Sequence, residues 1–138
     1  MSIVQTQTTS FKKELYQAIH NLSTDSIYIA LYTGNANLNA DTTVYSATNE
    51  VSATGYTAGG QALTGVAISS SDYTAYVNWA NVSWTAALTA RCALIYNVTQ
   101  GNKSIAVIDF GADKTSTTTF TITMPANTAT TALIRSSN

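Results

Sequence analysis

Residues 27–32, Ile27-Tyr28-Ile29-Ala30-Leu31-Tyr32, decide the fold class. Ile27, Ile29 and Leu31 alternate with Tyr28, Ala30 and Tyr32, a period of two in β-branched and aromatic residues that marks a strand. One face is aliphatic and the other mostly aromatic, so both are expected to be covered. Downstream, Gly34 to Asp41 reads as a loop by its turn residues, and Tyr45 to Val51 as a short edge element. Tyr56 to Gly60 forms a turn into Gln61 to Ser69, a strand broken near Gly65. Ala75 to Trp84 reads as one further strand. In Leu88 to Asn97, the residues Leu88, Ala90, Cys92, Leu94 and Tyr96 are expected to share a face.

Ile105 to Phe110 is apolar on both faces, as a central strand would be, and Gly111 is expected to release it into a turn at residues 112–114. Thr119 to Met124 alternates cleanly, and Ala132 to Arg135 closes the series. Upstream, Phe11, Leu15, Ile19 and Leu22 recur at helical spacing behind Ser10 as N-cap, which predicts an amphipathic helix over 11–22. Seven to nine strands and one helix give a mainly β chain: an antiparallel β-sandwich or jelly roll with one N-terminal amphipathic helix. Residues 1–10 are a polar arm, and 11–138 form a single sandwich domain that includes the helix.

Composition narrows the function. Only 9% of the 138 residues are charged, against roughly 25% in an ordinary soluble domain, and the net charge is −1. Thr, Ser and Asn take the place of charge. No basic patch supports nucleic-acid binding, and no apolar run approaches the roughly 18 residues of a membrane span. The N-terminus lacks the pattern of a secretory signal.

Chemistry-bearing residues are few. One cysteine, Cys92, and one histidine, His20, exclude an intramolecular disulfide and a Cys/His zinc site within one chain. Cys92 reads as a small buried hydrophobe, and His20 as a solvated or dipole-complementing residue at the end of the helix. Asp109-Phe110-Gly111 spells a kinase metal motif without the rest of a kinase, and neither phosphate-binding glycine pattern occurs. No catalytic, metal or cofactor site is expected. Glycoside hydrolysis would require two of Glu50, Asp72 and Asp109 to converge, and no spacing pairs them. Asn35, Asn37, Asn39 and Asp41 have calcium-loop spacing, but Ala40 and Ser46 stand where an EF-hand needs Gly and Glu, so an Asn-rich turn is the better reading. Tyr28, Tyr32, Tyr45, Tyr56, Tyr73 and Tyr76 offer apolar bodies with polar tips, suited to core edges, subunit interfaces or a sugar-binding face.

Several blocks resemble a family of small virion structural proteins of tailed bacteriophages: Leu31-Tyr-Thr-Gly34, Thr42 to Val51, Gly55 to Gly60 with Leu63-Thr64, Val82-Ser-Trp84, Thr89-Ala-Arg91, Ala93 to Asn97 and Ile105 to Gly111. The resemblance spans roughly residues 11 to 135. It implies a non-enzymatic place in the particle, made in the host cytoplasm and located on the capsid surface. Within that class the favoured role is a decoration (cement) protein, whose partner is the major capsid protein and whose copies associate, with a trimer favoured. A tail component or a glycan-binding adhesin are the alternatives. Tyr28, Tyr32, Tyr76, Ile105 and Val107 are the expected interface residues.

Overall fold

A computed structural model describes residues 2–137. The chain is mainly β, with antiparallel ladders and one short helix near the N-terminus. In chain order the elements are β1 (Thr6–Gln7), α1 (Thr9–Tyr16), β2 (Ile27–Tyr32), β3 (Gln61–Ala62), β4 (Ala67–Ser71), β5 (Thr74–Asn78), β6 (Val82–Trp84), β7 (Thr89–Asn97), β8 (Lys103–Thr115), β9 (Phe120–Ile122) and β10 (Ile134–Ser137). One layer is a five-stranded sheet in the order β1-β8-β7-β2-β3. Facing it are a three-stranded sheet, β10-β5-β4, and the pair β6-β9.

The alternation in 27–32 produces what it predicts. Ile27, Ile29 and Leu31 enter the core between the layers with Phe11, Trp84, Ile95, Ile105 and Phe120, while Ala30 and Tyr32 enter a second cluster with Leu38, Cys92, Leu94 and Val107. That second cluster lies on the outer face of the five-stranded sheet, beneath the loop that follows β2.

Four expectations are corrected. The helix ends at Tyr16 rather than residue 22, and its N-cap is Thr8, whose Oγ1 accepts from Phe11 N. Ala18 takes φ +58, and the N–H groups of Ala18 and Ile19 return to the carbonyls of Leu15 and Glu14. This left-handed stop turns Ile19 off the helical stripe and leaves Leu15 exposed. The N-terminal residues are not a free arm: Thr6 and Gln7 pair with Val107 and Ala106, and Ser2 and Val4 bond to Leu38. Ala75 to Trp84 divides into β5 and β6, which belong to different sheets.

The fourth correction concerns β7 and β8. β8 does not leave the sheet at Gly111 but runs on to Thr115. Ala90 pairs with Lys114 and Cys92 with Asp109, so the residues between Asp109 and Lys114 bulge out of the ladder, with Gly111 at φ +83. Across the irregularity β7 changes face. Leu88 and Ala90 enter the inter-layer core, whereas Cys92, Leu94 and Tyr96 enter the outer cluster and do not share their face.

Candidate functional site

The five residues named from sequence do not form one surface. Ile105 and Val107 are wholly buried within the chain's own sheet, so they are core residues and not an interface between copies. A two-sided apolar strand is covered by its own fold here: the inter-layer core takes Ile105, and the outer cluster takes Val107. Tyr32 is also buried, and its hydroxyl donates to Ser46 O at 2.7 Å. Tyr28 is half-buried beside Tyr96, with ring centroids 6.1 Å apart. Tyr76 lies on β5 in the other layer. A joint sugar platform of Tyr28, Tyr32 and Tyr76 is therefore not assembled.

What the fold does bring together is a tyrosine clasp around Glu50. Its Oε1 accepts from Tyr45 OH at 2.6 Å, and its Oε2 accepts from Tyr56 OH at 2.5 Å and Gly59 N at 2.7 Å. Tyr56 OH in turn accepts from Leu31 N at 2.8 Å. Tyr96 donates to Gly59 O and stacks on Tyr45 at 4.7 Å. The carboxylate joins Tyr56, from the inter-layer core, to Tyr45, packed on the outer cluster. Burial, reinforced by donation to Glu50, pushes the phenols of Tyr45 and Tyr56 far above the ordinary tyrosine range. Burial also raises Tyr32, and it raises Tyr96 to about 12. With its oxygens committed, Glu50 acts as a fastener for residues 45–60 along the edge of β2.

A second polar cluster surrounds His20, which is buried rather than solvated. Gln100 N donates to Asn97 Oδ1, so the Asn97 amide nitrogen faces His20 Nδ1 at 3.0 Å and Asp25 Oδ2 at 2.9 Å. His20 therefore accepts on Nδ1 and donates from Nε2 to Glu14 at 2.8 Å. Burial works against the Asp25 carboxylate, yet the donors Asn97, Asn21 N and Gln100 hold it below the usual range. The cluster ties the segment after α1 to the end of β7.

The remaining candidates stay apart. Asp72 occupies the β4–β5 turn. Asp109 accepts from Gly111 N and pairs with Arg91, which together lower its pKa. The three carboxylates weighed for hydrolysis thus sit in three separate settings. In the Asn-rich turn, Asn39 Oδ1 accepts from Asp41 N and Asn37 Oδ1 from Asn39 Nδ2, ordinary turn bonds that occupy the oxygens. Cys92 is wholly buried, and burial pushes its thiol up to about 11, consistent with packing. Among the described residues no group of three or more metal-binding side chains converges.

The surface carries a clearer signal than the clusters do. Between Glu50 and Arg91 the sequence has one charged residue, Asp72. All five residues of β4 are exposed, and Ile68 keeps 56% of its surface in solvent. At the tip of the β4–β5 hairpin, Asp72 and Tyr73 take φ +51 and +66, and Tyr73 is 95% exposed. Comparison with protein-family models, curated proteins and solved structures finds no match.

The clasp and the His20 cluster escape sequence reading because each joins residues of different elements. Glu50, Tyr45 and Tyr56 were visible only as a lone carboxylate and scattered aromatics. The doublet Asp72-Tyr73 between two alternating segments was the one local sign of the hairpin.

Proposed function

We propose that the chain is a non-enzymatic structural protein of a bacteriophage virion, and within that class a capsid decoration protein that binds and stabilises the shell of the major capsid protein. The observation that carries this reading is the absence of charge from β4, β5 and β6, where the exposed residues, Ser69, Ser70, Ser71 and Ser83 with Ala67, Ile68 and Ala75, offer uncharged contact area. Such a surface associates readily, because net charge near zero and few local charges remove the repulsion that keeps monomers apart. The block resemblance to tailed-phage virion proteins supplies the particle, and the neutral layer supplies a reason for the chain to belong to an assembly.

Reconstruction of the intact virion tests it through location and stoichiometry. Hundreds of copies on the head are expected; a few or a dozen copies at the tail would replace this reading with a tail component. Particles lacking the protein are expected to assemble and to lose packaged DNA sooner under heat or chelator. Particles as robust as the parent that fail to adsorb would overturn the cement role in favour of an adhesin.

A further inference from the structure

The free edge of β4 lacks the usual protections of an edge strand. Natural edges are blunted by lysines, prolines, bulges or a covering loop. β4, Ala67-Ile-Ser-Ser-Ser71, has no charge and no proline, and its register against β5 is regular from Ala67–Asn78 to Ser71–Thr74. The other edge of that sheet is guarded: Gln7 Nε2 donates to Arg135 O on β10 at 2.8 Å.

We infer that β4 is a self-pairing edge, at which two copies of the chain join antiparallel about a two-fold axis. The two-residue turn makes Ser71 and Thr74 the closing hydrogen-bonded pair, so the backbone groups of Ser71 and Ser69 point to β5 and those of Ile68 and Ser70 point outward. Antiparallel pairing needs outward groups on both strands. The register with the greatest overlap sets Ile68 opposite Ser70 of the second copy, and Ser69 opposite Ser69 on the axis.

On the two-fold axis a residue confronts its own copy, so a charge at position 69 would repel itself, and the uncharged Ser69 avoids this. The single nearby charge complies. In this register the two Asp72 carboxylates stand about 20 Å apart, at opposite ends of the ladder, well beyond the roughly 8 Å screening length of physiological salt. Tyr73 then reaches past the ladder to the second copy's Gly65. A bulky residue at positive φ is uncommon, and an almost fully exposed tyrosine is a low-entropy anchor for a partner. Pairing consumes both edges, so association closes at two copies rather than running on as a fibre. This is a dimer, where the virion resemblance implies a trimer, and it stands whether or not the chain belongs to a capsid.

Sedimentation of the full chain over a wide concentration range tests the inference. A monomer–dimer equilibrium is expected. Ser69→Lys and Ser69→Glu each place like charges face to face and weaken association by about fivefold or more, with circular dichroism unchanged because Ser69 is exposed. An equimolar mixture of the two variants regains the dimer. A wild-type chain that stays monomeric or forms trimers overturns the proposal, as does a Ser69→Lys variant that dimerises like the wild type.

Discussion

At the scale of single residues, Glu50 is where chemistry and stability meet. Replacing it with alanine leaves Tyr45 OH, Tyr56 OH and Gly59 N without their acceptor. A cost of about 3 kcal/mol is expected, read as a lower urea midpoint. The clasp also fixes the alkaline limit of the fold. Tyr32, Tyr45, Tyr56 and Tyr96 have raised phenol pKa values in the folded chain, chiefly through burial, whereas tyrosines in the unfolded chain ionise near roughly pH 10. A raised folded value means that the unfolded chain releases protons the folded chain keeps. Their contribution is complete below about pH 10 and is lost as pH rises toward the folded values. Phenolate absorbance from these four should therefore appear together with loss of the fold. In Glu50→Gln the slope of stability against pH above about 10 should be shallower, because the negative charge beside the phenols is gone. An unchanged slope would show that Glu50 is not what holds those protons.

At the scale of elements, backbone conformation explains both what the sequence announced and what it concealed. The 27–32 strand was legible because its period is regular and both its faces are buried. The length of α1 was not, because the stripe Phe11, Leu15, Ile19, Leu22 continues past the point where Ala18 turns left-handed. Side-chain spacing does not report a backbone stop made without glycine. That stop costs an L-residue on the order of 1 kcal/mol, so Ala18→Gly should raise stability by about 1 kcal/mol, measured as a higher melting temperature. The bulge in β8 was hidden in the same way, since Gly111 reads equally as a strand exit. Two glycine substitutions separate conformation from contact. At Gly111, φ +83, a methyl group meets nothing within 4 Å, so Gly111→Ala should cost only about 1 kcal/mol. At Gly60, φ +81, the same methyl runs into the carbonyl of Ile29 on the β2–β3 edge, so Gly60→Ala should cost at least about 3 kcal/mol. Equal losses at the two sites would mean that the β2–β3 edge yields to relieve the contact.

At the scale of the whole molecule, one sheet serves two cores, so neither core is separable from the other. β2, β7 and β8 present Ile29, Ile95 and Ile105 to the inter-layer core, and Ala30, Leu94 and Val107 to the cluster under the 33–50 loop. The low charge that first only excluded partners now has a place: the strands of the layer that holds β4 carry one charge, Arg135 on β10, whereas β7 and β8 of the five-stranded sheet carry Arg91, Lys103, Asp109, Asp113 and Lys114. Leu94 and Ile95 are adjacent in sequence, wholly buried, and face opposite sides of β7. Truncating either to alanine removes comparable apolar volume from a different cluster, at an expected cost of about 3 kcal/mol each. If the shared sheet makes the clusters one cooperative unit, each variant unfolds in a single transition, with tyrosine and tryptophan signals moving together, because Tyr32 and Tyr96 sit in the outer cluster and Trp84 in the inner one. A Leu94→Ala chain in which the tyrosine signal shifts while Trp84 holds its wild-type midpoint would show instead that the outer loop folds on the sandwich as a separate layer.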